Sequence, residues 1–126
     1  MKLDPDCIRD VLLSIESLPY TGYRTIDELA AEYPHYEQIS LDYTCLKLHE
    51  AGLIEALLVS SMGQWHQRVL KIYDLTFRGH EFLNSIRGEK VWSKTMSVVK
   101  NIGSSSLEIL KDVAVKVAAS LITQSI

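Results

Sequence analysis

The residue types that most often perform chemistry are spread along this chain without a recognisable metal-binding spacing. The four histidines are His35, His49, His66 and His80, and none of them forms an H-x-x-H or H-E-x-x-H motif. Cys45 and His49 are four residues apart and could share a helix face, but two ligands do not complete a zinc site. We therefore interpret the histidines as ordinary surface or core residues and expect neither a metal nor another cofactor.

A second candidate for chemistry is the serine run at residues 104–106, which could in principle hold a nucleophile. A serine-rich break before a helix usually caps that helix. Hydrolases show a characteristic order of serine, histidine and aspartate along the chain and a strained turn at the catalytic serine. Both are missing here. Gly63 and Gly79 are isolated, so no glycine-rich loop is available to cradle a phosphate. The sequence thus predicts a protein that is not an enzyme.

A third group of residues indicates binding instead of catalysis. Trp65, His66, Gln67, Arg68 and Lys71 lie in and just after a polar loop between two apolar segments. In a hairpin that lies along a duplex, Arg and Lys side chains contact phosphates. We therefore take these five residues as candidates for DNA contact. The alternative is a solvated hairpin whose Trp packs on its own sheet, and the residue types leave both open.

The elements around that loop are predicted from stop and cap signals. Gly52 ends a helix, residues 53–59 and 68–75 follow as two strands, and Thr76 caps the next helix. Alternation in the second strand predicts one face with Val69, Lys71 and Tyr73 and an opposite face with Leu70, Ile72 and Asp74. Gly79 is expected to let a neighbouring backbone approach closely.

Three helices are predicted before the hairpin. The first spans residues 5–18, with Asp4 as its N-cap. Thr25 and Glu28 form a capping box that opens a second, short helix ending before Pro34. The third spans residues 36–51 and carries one apolar stripe of Leu41, Cys45 and Leu48 and a second, roughly opposite, of Ile39, Tyr43 and Leu46. The second stripe must meet something other than the core that the first one covers.

Taken together, these elements predict a mainly α fold with a small antiparallel β wing. This is a winged helix-turn-helix core at residues 1–87, followed by a C-terminal helical appendage at residues 88–126. The third helix becomes the recognition helix, with a polar surface made by Gln38, Asp42, Tyr43 and Lys47. A second capping box, Ser105 with Glu108, opens the last helix.

The last helix carries apolar residues at steps of three and four, which is the spacing of a helix-packing seam. We expect this seam to mediate a homodimer, because the core is already complete without it. The alternative is that the last helix folds back onto its own domain. The seam consists of Leu107, Leu110, Ala114, Val117 and Leu121.

Charge is distributed unevenly along the chain. Residues 1–60 hold 4 Lys and Arg against 11 Asp and Glu, whereas residues 61–126 hold 9 against 5. The half with the recognition helix is therefore acidic, which opposes contact with phosphates. No apolar stretch is long enough to span a bilayer, and the start lacks a signal peptide, so we expect a cytoplasmic protein without membrane contact. Cys7 and Cys45 are expected to be buried free thiols.

Several segments resemble one family of proteins. They are Tyr43, Leu48, E-A-G-L-I-E at residues 50–55, L-T-F-R-G-H-E-F-L at residues 75–83, Ile86-Arg87, Val91-Trp92 and Ser106-Leu107. Together they resemble an uncharacterised winged-helix family of phage and prophage proteins, and residues 22–36 match it least. The resemblance implies a bacterial or phage cytosolic protein with a winged-helix core. It implies no known activity and no catalytic residue.

Two hypotheses about function follow. In the first, the protein is a regulator that binds DNA as a dimer through its wing and its basic second half. In the second, the winged helix is a protein-interaction module, an adapter or inhibitor of a host or defence protein, and does not bind DNA. Fold alone does not choose between them.

Overall fold

The structure is a computed structural model that describes residues 1–60, 63, 66–103 and 106–125. Over these residues the chain is mainly helical with one two-stranded antiparallel sheet, which confirms the predicted class at that level. The elements are α1 (Pro5–Glu16), α2 (Ile26–Glu32), α3 (Gln38–Glu50), β1 (Ile54–Ser60), β2 (Gln67–Leu75), α4 (Phe77–Ile86), α5 (Glu89–Ile102) and α6 (Leu107–Ser125).

The chain forms two compact units, Met1–His80 and Glu81–Ile126. The first holds α1 to α3, both strands and the start of α4. The second holds the rest of α4 with α5 and α6. The predicted division into a core at residues 1–87 and C-terminal helices at residues 88–126 stays a prediction.

Helices α1 and α2 begin where their capping residues predict. The Asp4 side chain accepts a hydrogen bond from the Asp6 backbone N–H, and Pro5 occupies the first helical position. Thr25 and Glu28 make the reciprocal bonds of a capping box. Helix α1 ends at Glu16, two residues earlier than predicted, and the Ser17 N–H that follows donates to the Leu13 and Ser14 carbonyls.

Helix α3 places its first apolar stripe in the core of the first unit. Leu41, Cys45 and Leu48 are buried, and Gly52 takes a φ of 76° just after the helix, as a left-handed stop requires. The same core receives apolar side chains from α1, α2 and the sheet, namely Cys7, Ile8, Val11, Leu12, Ile15, Ile26, Leu29, Leu53, Ile54, Val69, Ile72 and Leu75.

The predicted alternation of β2 is wrong. Val69 and Ile72, assigned to opposite faces, are both buried, and Leu75 follows them inward three residues later. The register shifts twice, once between Glu55 and Ala56 and once between Leu57 and Leu58. Each shift adds one residue to β2 and resets which face the next side chain takes.

A short backbone segment before α2 pairs with the inner edge of the hairpin. The Arg24 N–H donates to the Ile72 carbonyl at 2.9 Å, and the Ile72 N–H donates to the Arg24 carbonyl at 2.8 Å. Because both bonds form, Arg24 acts as a one-residue third strand that fixes β2 next to the entry of α2.

Thr76 joins the end of α3 to the start of α4. Its hydroxyl donates to the Gly52 carbonyl at 2.5 Å and accepts from the Gly79 N–H at 3.0 Å. Its own N–H donates to the Leu53 carbonyl at 3.0 Å. The predicted cap at Thr76 is therefore confirmed, and so is the close approach at Gly79, where an added Cβ would overlap the Leu53 carbonyl oxygen.

In the second unit, α5 and α6 pack on each other. Helix α5 ends at Gly103, whose φ of 78° stops it. The cap of α6 is Ser106, whose hydroxyl accepts from the Ile109 N–H at 3.2 Å. The predicted box placed that cap one residue earlier, at Ser105, which lies outside the described residues. With the cap at Ser106, Glu108 stands at the second helical position and cannot complete a box.

Replacing Gly79 with alanine tests the junction. The added methyl group meets backbone atoms that cannot rotate away, so Gly79→Ala should lower the free energy of unfolding by roughly 1–3 kcal/mol or more. Gly88→Ala is the matched control, because its Cβ would meet its nearest atom, Val91 Cγ2, at an ordinary 3.9 Å. Urea unfolding of both variants measures the difference. Equal midpoints would show that the close approach is not a constraint.

Candidate interaction face on α3 and the hairpin

The second apolar stripe of α3 lies on the surface of the first unit. Ile39 is 63% exposed, and Tyr43 and Leu46 are half-buried. These residues lie roughly opposite the buried stripe because two residues turn a helix by about 200°. The sequence analysis predicted two stripes, and the structure confirms that only one of them is in the core.

The exposed stripe forms one side of a groove of about 590 Å³. The groove combines an apolar floor with polar residues from α3 and from the hairpin. Its lining consists of Met1, Ile39, Asp42, Tyr43, Leu46, Lys47, Glu50, His66 and Gln67. The structure thus brings together three predicted recognition-helix residues and two predicted hairpin residues. Nothing in the sequence signalled that Met1 would join them.

A second concavity, of about 440 Å³, adjoins the groove. Gln38, Ile39, Asp42, His66 and Arg68 line it, so Arg68 also stands next to α3. The Gln38 side-chain amide donates to the Asp27 carboxylate, which links the start of α3 to the start of α2. Gln38 is therefore present on the predicted surface but is already hydrogen-bonded within the protein.

Asp42 holds the hairpin against α3. Its Oδ1 accepts a hydrogen bond from the Val69 backbone N–H at 3.0 Å, in a part-buried position. Val69 is the first buried residue of β2, so this bond fixes the strand at the point where it enters the core. The sequence analysis placed Asp42 on a recognition surface. The structure adds a structural role that sequence spacing could not reveal, because the partner is 27 residues away.

Lys47 is the one lysine within α3, and its charge is engaged. Its Nζ lies 3.0 Å from Glu50 Oε2 and 5.4 Å from the centre of the Tyr43 ring. The hydrogen bond to Glu50 is the largest cause that raises the pKa of Lys47. An incoming phosphate would have to compete with this carboxylate.

The predicted DNA-contact residues occupy different places. His66, Gln67 and Arg68 are exposed and border the concavities beside α3. Lys71 instead sits over the Tyr23 ring, with its Nζ 4.3 Å from the ring centre. Trp65 lies outside the described residues. The five residues therefore do not all share one described surface.

The predicted self-association seam on α6 is partly covered within one chain. Leu110 and Ala114 are completely buried, whereas Leu107, Val117 and Leu121 are half-buried. Helix α5 packs on α6 and presents Trp92, Thr95 and Val99 as its own buried face. A dimer through this seam stays a prediction, and the centre of the seam already has neighbours in the same chain.

A polar network that the sequence did not reveal joins α1 to the chain after α2. The Tyr36 hydroxyl donates to the Asp10 carboxylate at 2.6 Å, and the Tyr33 hydroxyl donates to the Asp10 carbonyl at 3.1 Å. Burial is the largest cause that raises the pKa of Tyr33 to about 12, followed by the charge of Glu32. Burial also raises the pKa of Tyr36, with its bond to Asp10 as the next cause.

The cysteines behave as packing residues. Cys7 and Cys45 are buried free thiols, which confirms the prediction. Burial raises the pKa of both thiols, so the nucleophilic thiolate is disfavoured. Over the described part of the chain, no group of three or more His, Cys, Asp or Glu residues is placed to hold a metal ion. Within the same residues, no helix has the length and apolar character needed to cross a membrane.

Comparisons with known proteins give the family. A family model described as "Hypothetical protein (DUF2513)" matches residues 2–106, and the chain belongs to this family. The chain is also similar to an uncharacterized protein of Haemophilus influenzae, with 31% identity over 124 residues that cover 98% of both chains. No solved structure matches the chain. Apart from Met1, all the residues that line the groove lie within the region matched by the family model.

The Asp42–Val69 bond can be tested by a pair of substitutions. Asp42→Ala leaves a part-buried N–H without its acceptor and should cost roughly 1–3 kcal/mol of unfolding free energy. Asp42→Asn keeps an acceptor oxygen and should cost clearly less. Urea unfolding compares the two. If the asparagine variant is as unstable as the alanine variant, the charge of Asp42 and not its hydrogen bond holds the hairpin.

Proposed function

We propose that this chain is a non-enzymatic winged helix-turn-helix module that docks a protein partner on the outer face of α3. The observation that carries the proposal is the apolar stripe of Ile39, Tyr43 and Leu46, which is left outside the core and borders an open groove. An apolar surface placed beside polar rim residues is the usual composition of a protein-binding site.

The order of the elements supports a winged-helix arrangement. Two helices, α2 and α3, are joined by residues 33–37, and the hairpin β1–β2 follows α3 after three residues. Arg24, between α1 and α2, pairs with Ile72 of β2 as a third strand would. In this arrangement α3 corresponds to the recognition helix and the hairpin to the wing.

Charge favours a protein partner over a nucleic acid. The first unit, residues 1–80, contains 7 Lys and Arg against 12 Asp and Glu, a net charge of −5. Asp42 and Glu50 line the groove and would face an incoming phosphate backbone, and Lys47 is paired with Glu50. Carboxylates near phosphates oppose binding, whereas an apolar partner surface gains by covering the stripe.

The family resemblance extends the proposal to a biological setting. We infer from the likeness to phage and prophage proteins that the module acts in a bacterial cytoplasm as an adapter or inhibitor of a host or defence protein. No catalytic step is part of this role, and neither a metal nor a cofactor is needed for it.

Capture from a bacterial extract tests the docking face. The immobilised wild-type chain should retain a protein that survives nuclease treatment, and Ile39→Asp should lose it because a charge in the groove opposes apolar contact. Phe77→Asp is the matched control, since Phe77 is an apolar residue of the same unit that is 78% exposed away from the groove lining. Retention that is identical for all three chains would contradict the proposal.

One observation favours DNA as the second candidate. Arg68 is exposed on the hairpin and stands beside Gln38 and His66 of the smaller concavity, where it could contact a phosphate. If DNA is the partner, Arg68→Ala should reduce the slope of log affinity against log salt by about one unit. Electrophoretic shifts at two salt concentrations measure this slope. A wild-type chain that shifts no duplex at low salt would exclude the regulator hypothesis.

A further inference from the structure

The second unit carries a helix whose exposed face complements the α3 groove. Helix α5 exposes Lys90, Lys94, Val98 and Ile102, each four residues after the last, so these residues form one continuous stripe. The stripe is cationic near the start of the helix and apolar near its end, where Ile102 is 56% exposed. Residues 81–126 hold 6 Lys and Arg against 4 Asp and Glu, a net charge of +2.

Along the groove on α3 the order is reversed, with apolar residues first and a charged residue last. Its apolar residues Ile39, Tyr43 and Leu46 lie along the first part of the helix, and the exposed carboxylate of Glu50 stands at the last residue. From Ile39 to Leu46 the apolar floor is about 10 Å long, which matches two turns of a partner helix.

We propose that the α3 groove is occupied by helix α5 of a second copy of this chain, running antiparallel to α3. This inference rests on the proposed docking function of α3, and it makes a second copy the occupant of the groove when no other protein partner is bound. In the antiparallel register, Ile102 and Val98 of one copy cover Ile39 and Tyr43 of the other. The same register brings Lys90 towards Glu50, which also pairs with Lys47, and sets Lys94 beside Lys47, so the contact of apolar residues makes most of the match.

The antiparallel direction is specified by the sequence of both helices. A parallel arrangement would set Lys90 and Lys94 over the apolar floor and leave Glu50 against Ile102. Burying a charge against apolar atoms without a partner is costly, so the parallel arrangement is disfavoured. The contact joins two different surfaces, and each copy of the chain offers one of each.

The test is the mass of the full chain in solution, by light scattering over roughly 1–100 µM, where moderate interfaces dissociate. The wild type should associate as concentration rises, and more strongly at low salt. Ile39→Asp and Ile102→Asp should each weaken association by roughly tenfold or more, as loss of a central interface contact does. Val115→Asp, at a residue of α6 that is 52% exposed, is the matched control and should change nothing.

Two further measurements test which surfaces meet. A mixture of Ile39→Asp and Ile102→Asp chains should associate more strongly than either variant alone, because each supplies the surface that the other lacks. Lys90→Glu and Glu50→Lys should each weaken association, and a chain with both changes should recover it. Circular dichroism checks that each variant keeps its helices.

A wild-type chain that is monomeric over the whole range would overturn the inference. So would association that survives both Ile39→Asp and Ile102→Asp, or that depends on Ile39 alone. The proposed docking function fails separately: a monomer that still captures another protein through Ile39 overturns the inference only. If Ile39→Asp changes neither association nor capture, both the inference and the proposed docking function are overturned.

Discussion

A hydrogen bond from the Val69 backbone N–H to the Asp42 carboxylate ties the hairpin directly to α3 at the point where β2 enters the core. The buried stripe of α3 fixes how the helix is rotated on the core, and this bond then sets β2 alongside it. Thr76 makes the second connection, because its hydroxyl bonds the chain just after α3 and its backbone begins α4. Val69 near the start of β2 is thus bonded to α3, and Thr76 just after its end is bonded to the residues that follow α3. Its lining residues His66 and Gln67 directly precede the strand residues that Asp42 holds.

Local signals made much of this architecture predictable. Asp4, Thr25 and Thr76 cap helices through bonds to residues two or three positions away, so the spacing alone identifies them. Gly52 was predictable as a helix stop because glycine readily adopts a positive φ. Gly79 was predictable as a site of close approach because glycine has no Cβ to overlap a neighbouring backbone oxygen. The presence of two stripes on α3 followed from helix geometry. In each case the information lies within a few residues of the feature.

The errors and omissions arose where distant residues decide the structure. The two bulges in β2 depend on its pairing with β1, and they invalidated a prediction based on strict alternation. The bonds from Asp42 to Val69, from Arg24 to Ile72 and from Tyr36 to Asp10 all join residues far apart in sequence. The α6 seam looked uncovered because the sequence does not reveal that α5 packs on it.

Photo-cross-linking at the outer face of α3 tests most directly whether this face is a surface for protein contact. A photoreactive phenylalanine analogue at position 43, expressed in the full chain in bacterial cells, places the reactive group in the groove. The account predicts a cross-linked product that protease removes and nuclease does not, and no such product from the same analogue at position 77. A product at position 43 that contains nucleic acid, or equal products at both positions, would contradict it.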